Sequence, residues 1–201
     1  MKTFVYSLFV ILLFSCSDTS DKSAFTGEVQ KNNTAPVGTL SSQSIYQLTD
    51  TFQTQDHRSV TLSAFASKPT VVGMIFTHCT YACPRLTSDI KNIESNLKDE
   101  GGKVNYLLVS FDTERDLPDT LKKYANGAGL DENWTLLHGD EEAVRTLSVL
   151  LNIQFVKDAE GNFSHSNIIS VLDKNGVLNF QKEGLGADPA ETIKAVKQLT
   201  E

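Results

Sequence analysis

Val71–Leu86, VVGMIFTHCTYACPRL, decides how the rest of the chain is read. Val71, Val72, Met74, Ile75 and Phe76 are too continuously apolar for a strand with one wet face, and they predict a strand covered on both faces, as in a parallel sheet. The run stops at Cys79 and Cys83. Pro84 follows, a residue tolerated in a first helical turn because its missing N–H has no intrahelical partner there. The stretch therefore predicts a buried strand that delivers two thiols to the start of a helix. Thiols so placed feel the positive end of the helix dipole, which lowers their pKa and favours the thiolate, the form that attacks disulfides and binds soft metals.

Downstream of this stretch, helical spacing of Leu86, Ile90, Ile93 and Leu97 extends the helix from Pro84 to about Asn96, with Gly101-Gly102 as its stop. Lys103–Phe111 is the next strand, and Pro118 opens a second helix through about Asn126. Trp134–Leu137 is a further strand, and Asp140 caps a helix whose stripe of Leu147, Leu150 and Leu151 is read with Trp134 as core. Ile153–Val156 is extended and turns at Glu160-Gly161-Asn162. Ile168–Leu172 and Val177–Gln181 then pair across Asp173–Gly176, whose Asn-Gly is a strong hairpin signal. A helix from Ala190 to about Leu199 closes the chain.

Upstream, Ile45–Leu48 and Thr51–Thr54 alternate apolar with polar and predict short strands, turning at Gln55–Arg58 into Ser59–Leu62. The element order predicts an α/β, thioredoxin-like domain: a central mixed sheet flanked by helices, preceded by an N-terminal β-hairpin. It occupies residues 44–201. Residues 17–43, rich in Ser, Thr, Asp, Lys, Asn and Gly, read as a flexible tether. Residues 1–16, MKTFVYSLFVILLFSC, carry one basic residue and an apolar core too short to span a bilayer as a helix. They read as an export signal whose Leu13-Phe14-Ser15-Cys16 ending resembles a bacterial lipobox, with Cys16 as the lipidated residue. Three cysteines in an exported chain leave an odd thiol unless one is consumed elsewhere, and lipidation of Cys16 leaves one pair.

A formal net charge of -7 and a pI near 5.1 argue against a nucleic-acid footprint. The chemistry instead gathers at one sheet edge. Parallel strands end on a common edge, and both the Cys79/Cys83 loop and Asp112 follow such ends. If the Ile168 strand runs antiparallel to them, its beginning lies on that edge too, and His165 faces the two cysteines. Two thiolates and an imidazole form a soft three-coordinate site that suits Cu(I), whereas zinc usually takes a fourth ligand. His78 is the rival imidazole, but in an extended segment a residue points away from its neighbour. His57 and His138 read as surface residues. Asp112 either orients a ligand or a partner, or caps the loop before the second helix.

Phe76-Thr77-His78-Cys79 to Cys83-Pro84, then Val109–Asp112 with Glu114-Arg115-Asp116 and Pro118, then His165-Ser166-Asn167, resemble the successive signatures of the SCO/SenC family. Its members are membrane-tethered, thioredoxin-fold copper proteins. The resemblance runs from about Tyr46 to the C-terminus and implies copper ligation by Cys79, Cys83 and His165. It also implies delivery of copper to the CuA centre in cytochrome c oxidase subunit II or to a related cuproenzyme. The chain departs from many members in carrying Thr80-Tyr81-Ala82 between the cysteines and Thr113 where proline is common, which leaves the client open.

The expectation is a monomeric copper carrier, anchored by lipid on the periplasmic side of a bacterial envelope. Cu(I) is its cargo, with Cu(II) as a second candidate state. The alternative is a thiol–disulfide oxidoreductase in which Cys79 attacks and Cys83 resolves, keeping a client's copper-ligand cysteines reduced. Cysteines at i and i+4 on a helix have Cα atoms about 6 Å apart, so a reversible Cys79–Cys83 disulfide is expected when metal is absent. Three residues between the cysteines, where thioredoxin-type catalysts carry two, and no proline beside His165 weigh toward the carrier.

Overall fold

The computed structural model describes residues 41–97 and 102–201. The signal, Cys16 and most of the tether lie outside the described residues, as does Gly101 of the predicted helix stop. Among the described residues no helix is long and apolar enough to cross a membrane.

Every residue of β3 (Thr70–Ile75) is buried, as its unbroken apolar run requires. It lies between β4 (Asn105–Ser110), to which it is parallel, and β8 (Ile168–Leu172), which runs antiparallel to it. β5 (Trp134–His138) is parallel to β4 on the far side, and β1 (Phe52–Thr54) and β2 (Ser59–Val60) form an antiparallel hairpin beyond β5. β9 (Leu178–Glu183) completes a seven-stranded mixed sheet ordered β2-β1-β5-β4-β3-β8-β9. The C-terminal ends of β3, β4 and β5 and the start of β8 therefore share one edge.

Among the described residues four α-helices flank the sheet. α1 (Ala82–Asn96) buries Cys83, Leu86, Ile90 and Ile93. Its close seat on β3 depends on Gly73, where a Cβ would stand 3.1 Å from the Ile90 side chain. α2 (Pro118–Ala128) begins at its proline, α3 (Glu141–Leu150) is capped by the Asp140 carboxylate accepting from the Ala143 amide at 2.8 Å, and α4 (Ala190–Thr200) closes the chain.

Two expectations need correction. Ile45–Gln47 is a 3₁₀ turn rather than a strand: the Ser44 hydroxyl caps it by accepting the Tyr46 amide at 3.1 Å, and Ile45 and Tyr46 are both buried where an alternating, half-exposed strand would leave one of them outside. Leu150 is 46% exposed, so the core stripe of α3 consists of Val144, Leu147 and Leu151. The stretch before β8 is a second, two-stranded sheet, β6 (Phe155–Lys157) against β7 (Phe163–His165), which pair with each other and with no strand of the main sheet.

Candidate metal centre

Cys79 precedes α1 and Cys83 lies in its first turn. Tyr81, at the N-cap, makes no side-chain capping bond, and the Cys79 sulfur takes that role by accepting the Cys83 amide N–H at 3.3 Å. The Cys83 sulfur in turn accepts the Phe76 amide at 3.3 Å. Helix α1 and the exit of β3 are thus tied together through the two sulfurs.

The helix start does not act equally on both thiols, contrary to the expectation from dipole alone. Burial opposes ionisation of Cys79, but the amides of Cys83, Tyr81 and Ala82, together with the Cys83 thiol, outweigh it and hold the pKa below the ordinary thiol value. Cys83 has no exposed surface, and burial raises its pKa far above that value; the Phe76 amide offsets this only in part, and the neighbouring Cys79 and Asp116 raise it further. Both cysteines are free thiols.

His165 arrives at the same edge on β7, immediately before β8. Its Nδ1 lies 3.1 Å from the Ser166 carbonyl, a bond that requires the proton on Nδ1 and, in the neutral ring, leaves Nε2 as an acceptor. Nε2 stands 3.7 Å from the Cys83 sulfur. One donor atom from each of Cys79, Cys83 and His165 lies within 4.8 Å of the other two. Two ligands held roughly 2.0–2.3 Å from one ion in a trigonal plane stand about 3.5–4 Å apart, so the Cys83–His165 spacing already suits a shared ion.

His78 is directed elsewhere. It is exposed, and its Nδ1 lies 3.8 Å from Asp116 Oδ1 rather than in the thiol site. His57 is exposed and pairs with Asp119 at 2.8 Å. His138 is half-buried at the end of β5, so only His57 of the two is a surface residue in the full sense.

Asp112, fully buried, touches neither the thiols nor the imidazole. It accepts the Arg115 amide at 3.3 Å and pairs with the Arg115 guanidinium, which donates to the Gly161 carbonyl at the tip of the β6–β7 hairpin. It therefore caps its own loop, and it reaches His165 only through Arg115 and the hairpin. Phe155 and Phe163 of the hairpin form an aromatic cluster with Phe76 and Phe111 at the ends of β3 and β4, with the His165 ring 4.9 Å from Phe111 and edge-on to Phe76 at 6.1 Å. Sequence reasoning missed this cluster and named Arg115 only within a motif, without its role. The signal was present in Phe163 two residues before His165 and in Phe111 at the end of a strand.

A thioredoxin-like domain that gathers two thiols and an imidazole at the C-terminal edge of its parallel strands is the class these observations define. Within it, the chain belongs to the SCO1/SenC family, whose sequence model matches residues 40–201. The SCO1 protein homolog of Bacillus subtilis (strain 168) is 36% identical over 147 residues, 71% of this chain and 76% of that protein. A SCO1/SenC family lipoprotein from Bacillus anthracis is 26% identical, with a TM-score of 0.70 over 75% of this chain and 92% of its own. Bradyrhizobium japonicum ScoI, solved with copper bound, is 25% identical, with a TM-score of 0.64 over 75% of this chain and 96% of its own.

Proposed function

We propose that this protein carries one Cu(I) on Cys79, Cys83 and His165 and passes it to a respiratory cuproenzyme, the CuA site of cytochrome c oxidase subunit II being the favoured acceptor. The observation that carries this reading is the convergence of two sulfurs and an imidazole nitrogen, from segments 82 residues apart, to within 4.8 Å. The donor set is soft and three-coordinate, as Cu(I) prefers. Cu(II) is a second candidate cargo. The copper-bound relative and membership of the family support the metal.

The residues divide the work by their accessibility. Cys83, sealed under the β3–α1 turn, retains its hold longest. Cys79, half-buried at the rim and favoured as thiolate, is where an acceptor's thiolate can displace a ligand. His165 leaves or joins with its hairpin. The carrier acts as a monomer, exported and held by a lipid on Cys16 at the periplasmic side of a bacterial envelope. The N-terminal sequence and the lipoprotein relative support this location.

A competition titration against a chromophoric Cu(I) chelator tests the reading. Wild-type protein binds one equivalent at picomolar affinity or tighter, and His165→Ala weakens binding at least about ten-fold, since even outer-shell partners of metal ligands commonly cost that much. Equal affinities would remove His165 from the site.

The unequal thiols favour one second reading. Cys79 as thiolate attacks a client disulfide, releasing one client thiolate. Cys83 then loses its proton and attacks the Cys79 sulfur, releasing the second client thiol and leaving Cys79–Cys83 oxidised as the client gains two electrons. No Cu(I) binding together with insulin reduction would select this reading.

A further inference from the structure

The turn Asp112–Asp116 carries two buried carboxylates, Asp112 and Asp116. Asp116 has no exposed surface, and the donors to its carboxylate are neutral. Oδ2 accepts the Thr77 amide at 2.8 Å and the Ser110 hydroxyl at 2.6 Å, and Oδ1 lies 2.5 Å from the Thr77 hydroxyl. Ser110 Oγ itself accepts the Asp112 amide at 3.0 Å, so its proton is directed to Asp116. The Asp116 amide donates to the Asp112 carbonyl at 3.0 Å, which closes the turn around the side chain.

These bonds end on the segment that presents the thiols. Thr77 is the second residue after β3 and lies two residues before Cys79, whose own amide donates to the Phe76 carbonyl at 3.3 Å. Phe76 also supplies the amide held by the Cys83 sulfur. A carboxylate is an expensive group to bury against neutral donors, and an amide or hydroxyl side chain could close a loop at lower cost. What a carboxylate adds is acceptors on both oxygens, enough to fix the Thr77 backbone and side chain at once while staying tied to the end of β4. His78 also lies toward Asp116, which keeps that imidazole out of the thiol site.

We propose that Asp116 is a positioning residue for the thiol pair: by holding Thr77 against the end of β4 it fixes the β3–α1 turn, so that Cys79 stays on the amides of α1 and Cys83 stays sealed beneath. One turn then holds both arms of the site, Asp116 the thiols and Asp112, through Arg115, the histidine hairpin. The inference deepens the copper reading for its second measurement, while its first needs no metal.

The full-length protein is pulse-labelled with iodoacetamide in the absence of metal, well below its melting temperature, and the ratio of Cys79 to Cys83 labelling is read by peptide mass spectrometry. Val196→Ala, a core change in α4 on a residue without exposed surface, supplies a remote control for general loss of stability. Asp116→Asn lowers the labelling ratio about ten-fold and weakens Cu(I) binding by about the same factor, the lower end of what outer-shell partners cost, whereas the control alters neither. The proposal is overturned if the ratio and affinity of Asp116→Asn match the control. If Asp116→Asn does not fold, Thr77→Val, which keeps the amide bond and loses only the hydroxyl, decides the matter: a smaller fall in the ratio supports the proposal and an unchanged ratio overturns it. Should wild type bind no Cu(I), the copper reading falls, and the labelling ratio still decides the role of Asp116.

Discussion

Cys83 and His165 face each other across 3.7 Å, yet the chain holds them by different means. Cys83 belongs to a helix seated on β3, an interior strand of a seven-stranded sheet, with its sulfur bonded to the strand's exit. His165 belongs to a two-stranded sheet that is fixed mainly by side chains: the phenylalanine cluster, the Arg115 bond to Gly161, the Lys157–Glu114 ion pair at 2.7 Å and Arg145 over the Phe155 ring at 5.2 Å. Main-chain ladders buried in a core open only with the whole domain, whereas a small sheet held at its margin can open by itself. The difference assigns permanence to the thiols and adjustability to the imidazole.

The largest effect expected from breaking this comparison is on the permanent side. Cys83→Ala removes the buried sulfur proposed as a ligand and leaves a small void; Cu(I) binding is expected to fall below what chelator competition detects, while circular dichroism retains the folded signature. Binding that survives at near wild-type strength would mean that the buried sulfur is not a ligand, and that the two arms do not share one ion.

A change on the adjustable side is expected to do less. Arg115→Ala deletes the link between Asp112 and the hairpin tip and leaves both thiols untouched. Amide exchange then quickens across Phe155–His165 while β3 and α1 keep their protection, and Cu(I) affinity falls by less than the roughly ten-fold that an outer-shell partner commonly costs. Uniform quickening over the whole domain would show that hairpin and sheet open as one, and the contrast between the arms would be lost.

The same contrast explains what could be read from the sequence. β3 and α1 were readable because their signals are local: an unbroken apolar run, a proline in a first turn, and leucines and isoleucines at helical spacing. The hairpin of β8 and β9 announced itself by Asn175-Gly176, and α3 by Asp140. The juxtaposition of His165 with the thiols followed from chain direction alone, since β8 begins on the edge where β3 ends. The means of holding were not readable. β7 is three residues long with alternating burial, too short for periodicity to register, and its docking depends on partners such as Arg115 and Gly161, 46 residues apart in sequence. Asp116 stood in the sequence only as part of the Glu114-Arg115-Asp116 signature, with no role assigned, because its partners Thr77 and Ser110 lie on other elements. The unequal thiols were missed for a related reason: the dipole of a helix can be inferred from its start, but the burial that overrides it at Cys83 depends on what packs above.

That inequality gives the smallest of the expected effects, a pH dependence of stability in the metal-free protein. For Cys79 the folded pKa is lowered, so the unfolded chain binds more protons between the folded value and the ordinary thiol value near 8.5, and stability rises with pH through that window. For Cys83 the folded pKa is raised by burial, so above about 8.5 the unfolded chain releases a proton that the folded chain keeps, and stability declines as pH climbs. Urea midpoints should therefore pass through a maximum near the ordinary thiol value. Cys83→Ala flattens the decline between about pH 8.5 and 10, below the range where the buried Tyr124, pushed up to about 12, adds its own alkaline loss of stability. Cys79→Ser flattens the rise on the acid side and leaves the decline in place. If Cys83→Ala leaves the alkaline decline unchanged, the sulfur is better hydrated than its position under the β3–α1 turn requires, and the permanence of the thiol arm would have to rest on the backbone alone.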